Sequence, residues 1–230
     1  MTVIMTPAPE GGTVAFPTDL GFGTEYEKWL LTGIVAELAS RHGFRTAADY
    51  PCNLLLGDSR DVFRPAGISC ERLAAPRPGA RYDLVFSFCE FEQAEDADAF
   101  LRSVDAFESP HVLIVTQNWR NPGVLLHRLY HLAAGNRWDH GRLSRASYKA
   151  VRRRVHRLGL PWQLVDLRCF DTPWFVLDVY ETGRFLRKLV PAASRGNGSP
   201  MRRSWFEDLP FWAARWLAHH YLLLYRRTEA

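Results

Sequence analysis

Residues 82–104 read YDLVFSFCEFEQAEDADAFLRSV, and the order of features in that stretch decides the fold. It begins with YDLVFSF (82–88), a short apolar run of the kind that forms a strand covered on both faces. An acidic loop follows. Asp96 then stands as the N-cap of a helix whose Phe100, Leu101, Val104 and Phe107 make one apolar stripe. A doubly covered strand that leads into a helix predicts a mostly parallel sheet with helices on both faces.

Reading outward supports the same α/β architecture. Downstream, HVLIVTQN (111–118) and WQLVDLRCF (162–170) read as strands. Between them SRASYKAVRRRVHRLGL reads as a helix, with Ser144 as its cap and Gly159 as its stop. The run HHYLLLYRR (219–227) reads as a final antiparallel strand. Upstream, TEYE at Thr24 has the form of a capping box, and Tyr26, Trp29, Leu30, Ile34 and Leu38 follow at helical spacing up to Gly43. FRTAAD (44–49) and GISCERLA (67–74) are two more strands, with a turn and a short helix between them. Residues 1–23, rich in Pro, Gly and Thr, read as a flexible arm, and 24–230 as one domain with insertions at about 119–143 and 171–217.

Composition narrows the class. Hydrophobic residues make up 47% and charged residues 23% of the 230, with no apolar run near the roughly 20 residues a spanning helix requires. No secretory leader is visible, so a cytoplasmic protein is expected. The four cysteines form no CxxC pair, which argues for reduced thiols over a zinc knuckle or disulfide framework. The net charge of +4 comes largely from arginines scattered along helices. Nucleic acid is therefore not the favoured partner.

With these elements in order, the chain resembles the class I S-adenosylmethionine-dependent methyltransferases. YDLV, the acidic loop and DAFLRSV carry the likeness, and VLIVTQN, DHG with SRASY, LVDLRCF and HHYLLLYRR follow in the family's order. The resemblance implies a Rossmann-like sheet with an antiparallel last strand, and S-adenosylmethionine as cofactor. It also implies a cofactor side built from Asp49, the turn Tyr50, Pro51, Cys52, Asn53 to Gly57, Glu71, and Phe88, Cys89 and Glu90, with Tyr26 contributed by the first helix.

Two departures accompany it. Pro51 stands where the family has its first glycine, removing a backbone donor and fixing φ, while Asn53 is a residue that tolerates unusual dihedrals. Only about ten residues separate Glu71 from Asp83, so a helix and one edge strand of the family's sheet are missing.

Methyl transfer needs little beyond alignment of donor and acceptor, helped by one general base. His127 and His131, four apart, share one helical face, and Asp139 and His140 follow. General base is the better functional reading of this set. Metal is not favoured, because no Glu follows the first His as in HExxH. The plainer account of FCEFE is a strand end with solvated carboxylates, and it is favoured for Glu92. The arginines and Lys149 of 142–157 read as a solvated helix surface. The Trp-rich second insertion reads first as a cap on the sheet, then as a wall for an apolar acceptor or a surface for a partner protein or second copy, and last as a membrane contact.

The sequence thus predicts methyl transfer to a small, aromatic or lipophilic acceptor. The runner-up is a methyltransferase-like protein without that activity, acting as a metabolite-binding or accessory subunit.

Overall fold

The computed structural model describes residues 23–52, 56–77, 79–133, 135, 141–171 and 205–228. Its six strands are β1 (Thr46–Asp49), β2 (Ser69–Arg72), β3 (Leu84–Phe88), β4 (His111–Gln117), β5 (Trp162–Phe170) and β6 (His220–Arg227). They form one sheet in the order β2-β1-β3-β4-β6-β5. The first four run parallel, and β6 enters antiparallel between β4 and β5. Among the described residues the sheet ends at β2, as the short link to Asp83 predicts.

The strands' alternation sets the two layers. On β3, Leu84, Phe86 and Phe88 join a core with α1 (Gly23–His42) and α2 (Arg60–Phe63), including Leu31, Val35, Leu38 and Phe63. Val85 points the other way, into a second core with Phe91 of α3 (Glu90–Gln93), Leu101 and Val104 of α4 (Ala97–Asp105), and Val151 and Val155 of α6 (Tyr148–Arg157). Every residue of β3 is buried, which is why its sequence reads as a continuous apolar run rather than an alternating one. Two more α-helices are described, α5 (Pro122–Ala133) inside the first insertion and α7 (Phe211–Leu217) in the second.

Several boundaries follow from local chemistry. β1 starts two residues later than FRTAAD suggests, because the Arg45 and Thr46 amides both donate to Asp83 Oδ2, at 2.8 and 2.9 Å. Asp96 caps α4 as expected, accepting from the Asp98 and Ala99 amides. The cap of α6 is Ser147 and not Ser144. Residues 141–145 are instead spent on a turn that closes against α3, where Arg142 N donates to Glu92 O at 2.9 Å and Arg145 N to Arg142 O.

Gly141 makes that closure possible. Its φ is +81°, and a Cβ there would sit 2.8 Å from Glu92 O. Gly141→Ala is therefore expected to destabilise the fold by about 2 kcal/mol, read from urea midpoints, through left-handed strain and a backbone clash.

Candidate functional site

In an open parallel sheet, ligands sit beyond the carboxyl ends of the strands where the strand order reverses. Here that point lies between β1 and β3, and Asp49 ends β1 there. The residue is 4% exposed. Ser59 Oγ donates to Asp49 Oδ2 at 2.5 Å, and Arg72 Nε lies 3.5 Å from the same oxygen. Burial pushes the Asp49 carboxyl up to about 6, against the opposing pull of Ser59 and Arg72.

The turn after Asp49 departs from a glycine-rich cradle. Tyr50 N donates to Phe86 O at 2.8 Å and Cys52 N to Leu73 O at 3.0 Å, and Pro51 has no donor. The Tyr50 side chain packs into the α4 core, its ring 5.0 Å from Phe107 and its hydroxyl donating to Ser103 Oγ at 2.9 Å. Gly57 takes a left-handed φ of 69°, and Asn53 lies outside the described residues. Glu71 is on β2 one position before the strand's end. Its carboxylate accepts from Tyr82 OH at 2.6 Å and pairs with Arg77 at 2.5 Å.

The end of β3 meets the same edge. Phe88 is buried with its ring 5.3 Å from that of His220. Cys89 is buried in a left-handed conformation, φ 55°, and Glu90 opens α3. Burial, reinforced by Glu92 and Glu27, pushes the Cys89 thiol well up, so it is no thiolate nucleophile.

The solvated reading of Glu92 is overturned. Glu92 is fully buried, accepting from Thr116 Oγ1 at 2.9 Å and from Gln117 N at 2.8 Å, and burial raises its carboxyl. It ties α3 to the end of β4.

A second group at this edge escaped the sequence reading. Glu27 of α1, Asp171 after β5, and His219 and His220 at the start of β6 each offer one ligand-type atom, all within 4.8 Å of one another. Glu27 falls on the buried stripe of α1, four residues before Leu31. His219 and His220 are positioned by Asn118, whose side chain donates to Arg215 O and Ala218 O at 2.9 and 2.8 Å, and by Asn121, which donates to Leu217 O. His219 Nδ1 lies 3.0 Å from Asp171 Oδ2, and His220 Nε2 touches Glu27 Oε1. Burial first, then the neighbouring Glu27 and Glu207 charges, pushes the Asp171 carboxyl well up. An acid inside the apolar stripe of a helix is the one sequence signal that pointed here.

His127 and His131 lie one turn apart on α5, while Asp139 and His140 lie outside the described residues. Tyr26 is on the first turn of α1.

Beyond the carboxyl end of β4 an open cavity of about 900 Å³ is lined by Trp119, Arg120, Tyr148, Lys149, Arg152 and Arg153, among others. Lys149, Arg152 and Arg153 are exposed there, as the solvated-helix reading expects. Arg145 is not: it is 8% exposed and donates to Ala94 O and Glu95 O, and Arg154 and Arg157 pair with Asp98. No described helix is long and apolar enough to cross a membrane.

No protein-family model and no curated protein matches the chain. Solved structures do. Magnesium protoporphyrin IX methyltransferase from Synechocystis PCC 6803, with bound SAH, is 10% identical with a TM-score of 0.49, over 94% of this chain and 90% of that one. An S-adenosylmethionine dependent methyltransferase from Mesorhizobium loti is 18% identical with a TM-score of 0.38, over 85% and 87%. The cyclase SpnF is 12% identical with a TM-score of 0.45, over 87% and 82%. At these values the likenesses carry no statement about activity. The sheet itself, parallel through β4 with β6 inserted antiparallel before β5, has the class I methyltransferase fold, and among the described residues no strand lies beyond β2.

Proposed function

We propose that this protein transfers a methyl group from S-adenosylmethionine to a small acceptor with an aromatic or lipophilic body. The observation that carries this reading is Asp49, a carboxylate held in a buried position at the point where the strand order reverses. A fold gains nothing in stability from an acid kept where ionisation is disfavoured, and such groups concentrate at sites of function.

The cofactor supplies an activated methyl group. The chain's part is to hold the donor and exclude water. Asp49 and the turn through Asn53 and Gly57 would hold the cofactor's polar end, Phe88 and Cys89 would wall it, and Glu90, Glu71 and Tyr26 would complete its surroundings. The Tyr50 and Cys52 amides are committed within the fold and do not serve as donors to the cofactor. The acceptor would enter from the cavity beyond β4, whose aromatic walls and cationic rim favour a ring bearing an acidic group. The proton is taken by a base from His127, His131, Asp139 and His140.

Calorimetric titration with S-adenosylmethionine and S-adenosylhomocysteine tests this directly. Micromolar binding is expected, weakened at least about tenfold in a folded Asp49→Asn variant. If the folded protein binds neither ligand up to millimolar concentration, the reading is wrong.

A second reading, a methyltransferase-like protein that binds a metabolite or a partner without transferring a methyl group, is favoured by the same committed amides and by Pro51. Tight cofactor binding that Asp49→Asn leaves unchanged, without turnover on any ring-bearing acid, would favour it.

A further inference from the structure

We infer that Glu27, Asp171, His219 and His220 form a binding site for one divalent first-row transition-metal ion, of which zinc is the probe of choice. Their donor atoms converge within 4.8 Å of one another from three segments far apart in sequence. Tetrahedral ligands at about 2.0–2.2 Å from zinc lie roughly 3.3 Å apart, and the spacing of Asp171 Oδ2 and His219 Nδ1 is 3.0 Å. Imidazole and carboxylate donors together suit zinc and its neighbours, whereas magnesium and calcium take all-oxygen sets.

The competing account is two separate side-chain pairs, Glu27 with His220 and Asp171 with His219. Geometry argues against keeping them apart: the two imidazole rings lie with centroids 3.8 Å apart, so the four donors gather round one point.

An orphaned atom favours the ion as well. Asp171 Oδ1 is buried without a hydrogen-bond partner. Asp171 itself is 0% exposed. The second shell is in place too. Cys89 Sγ lies 3.6 Å from His220 Nδ1, where it can accept that ring's N–H and so fix the tautomer that leaves Nε2 to the ion.

Four protein donors close a tetrahedral set, so the ion acts as a clasp. It joins α1, the end of β5 and the start of β6 at the edge where Phe88 and Cys89 stand.

The test uses the full chain, without cofactor. Protein equilibrated with zinc and then desalted is expected to retain one equivalent per chain by elemental analysis. Zinc at about a hundredfold excess over its dissociation constant should raise Tm by roughly 5–10 °C, a measurement that needs no variant. Asp171→Asn and His220→Ala should each lose the retained zinc and the Tm response, while Arg152→Ala keeps both. Magnesium should produce neither effect. Wild-type protein that retains no zinc and shows no Tm response overturns the proposal, as does equal zinc retention by the wild type and both folded variants.

Discussion

Asp49→Asn is expected to make the protein more stable at pH 8, by about 2–3 kcal/mol, while weakening its hold on the cofactor. A carboxyl group moved by folding from 3.8 to about 6 binds its proton more tightly in the native state than in the unfolded one. Each factor of ten in that preference is worth about 1.4 kcal/mol. The sign follows from linkage: between about pH 4 and pH 6 the native state retains a proton that the unfolded chain has released, so native stability falls as pH rises through that window and stays level above it. Asparagine resembles the protonated acid and lacks this loss. Urea unfolding of both proteins at several pH values should show curves that nearly coincide at about pH 3.5 and separate to their full extent by about pH 7. A variant less stable than the wild type at pH 8 would mean that Ser59 and Arg72 stabilise the carboxylate more than burial opposes it.

Glu92→Ala should have an effect of similar size in the opposite direction. The fully buried Glu92 side chain accepts from Gln117 N with one oxygen and from Thr116 Oγ1 with the other. Truncation strips both donors of their acceptor and leaves a cavity beside the end of β4. Each buried group left unsatisfied costs roughly 1–3 kcal/mol, against which stands the relief of removing a buried acid. A net loss of about 3 kcal/mol is expected. Glu92→Gln separates geometry from charge. Its carbonyl can take the Gln117 amide while its NH₂ donates to the Thr116 hydroxyl, so it should stay within about 1 kcal/mol of the wild type. Equal losses for the two variants in chemical denaturation would assign the role of Glu92 to its charge.

These residues also mark where sequence reading ends. Strands were legible where burial is uniform or pairing long: residues 162–170 form a strand as read, the strand read over 111–118 ends one residue earlier at Gln117, and β6 runs antiparallel as the family order implies. The Asp96 cap was legible because capping is a contact over two or three residues. Ser144 failed as a cap because α3, distant in sequence, claims the turn around it through the Glu92 backbone carbonyl. Of the candidate site, Asp49 and Phe88 to Glu90 could be placed because both follow strands that end at the same edge. Tyr50 could not be oriented, since strand alternation at β1 turns its ring toward Phe107. The group formed by residues 27, 171, 219 and 220 depends on three crossings of the chain, and a pair of histidines opening a strand gives no local sign of what they face.

The sheet's last strand on one side carries a further consequence. β2 pairs only with β1 among the described strands, so one row of its backbone groups faces away from the sheet. In a full-length sheet that row would be occupied. Here it is a template on which another extended chain could add, the usual route to edge-to-edge aggregation. The strand is four residues long and ends in Glu71 and Arg72, a length and charge that discourage such pairing. Among the described residues the sheet thus stops at an edge that is short and charged, a poor recruiter of a further strand.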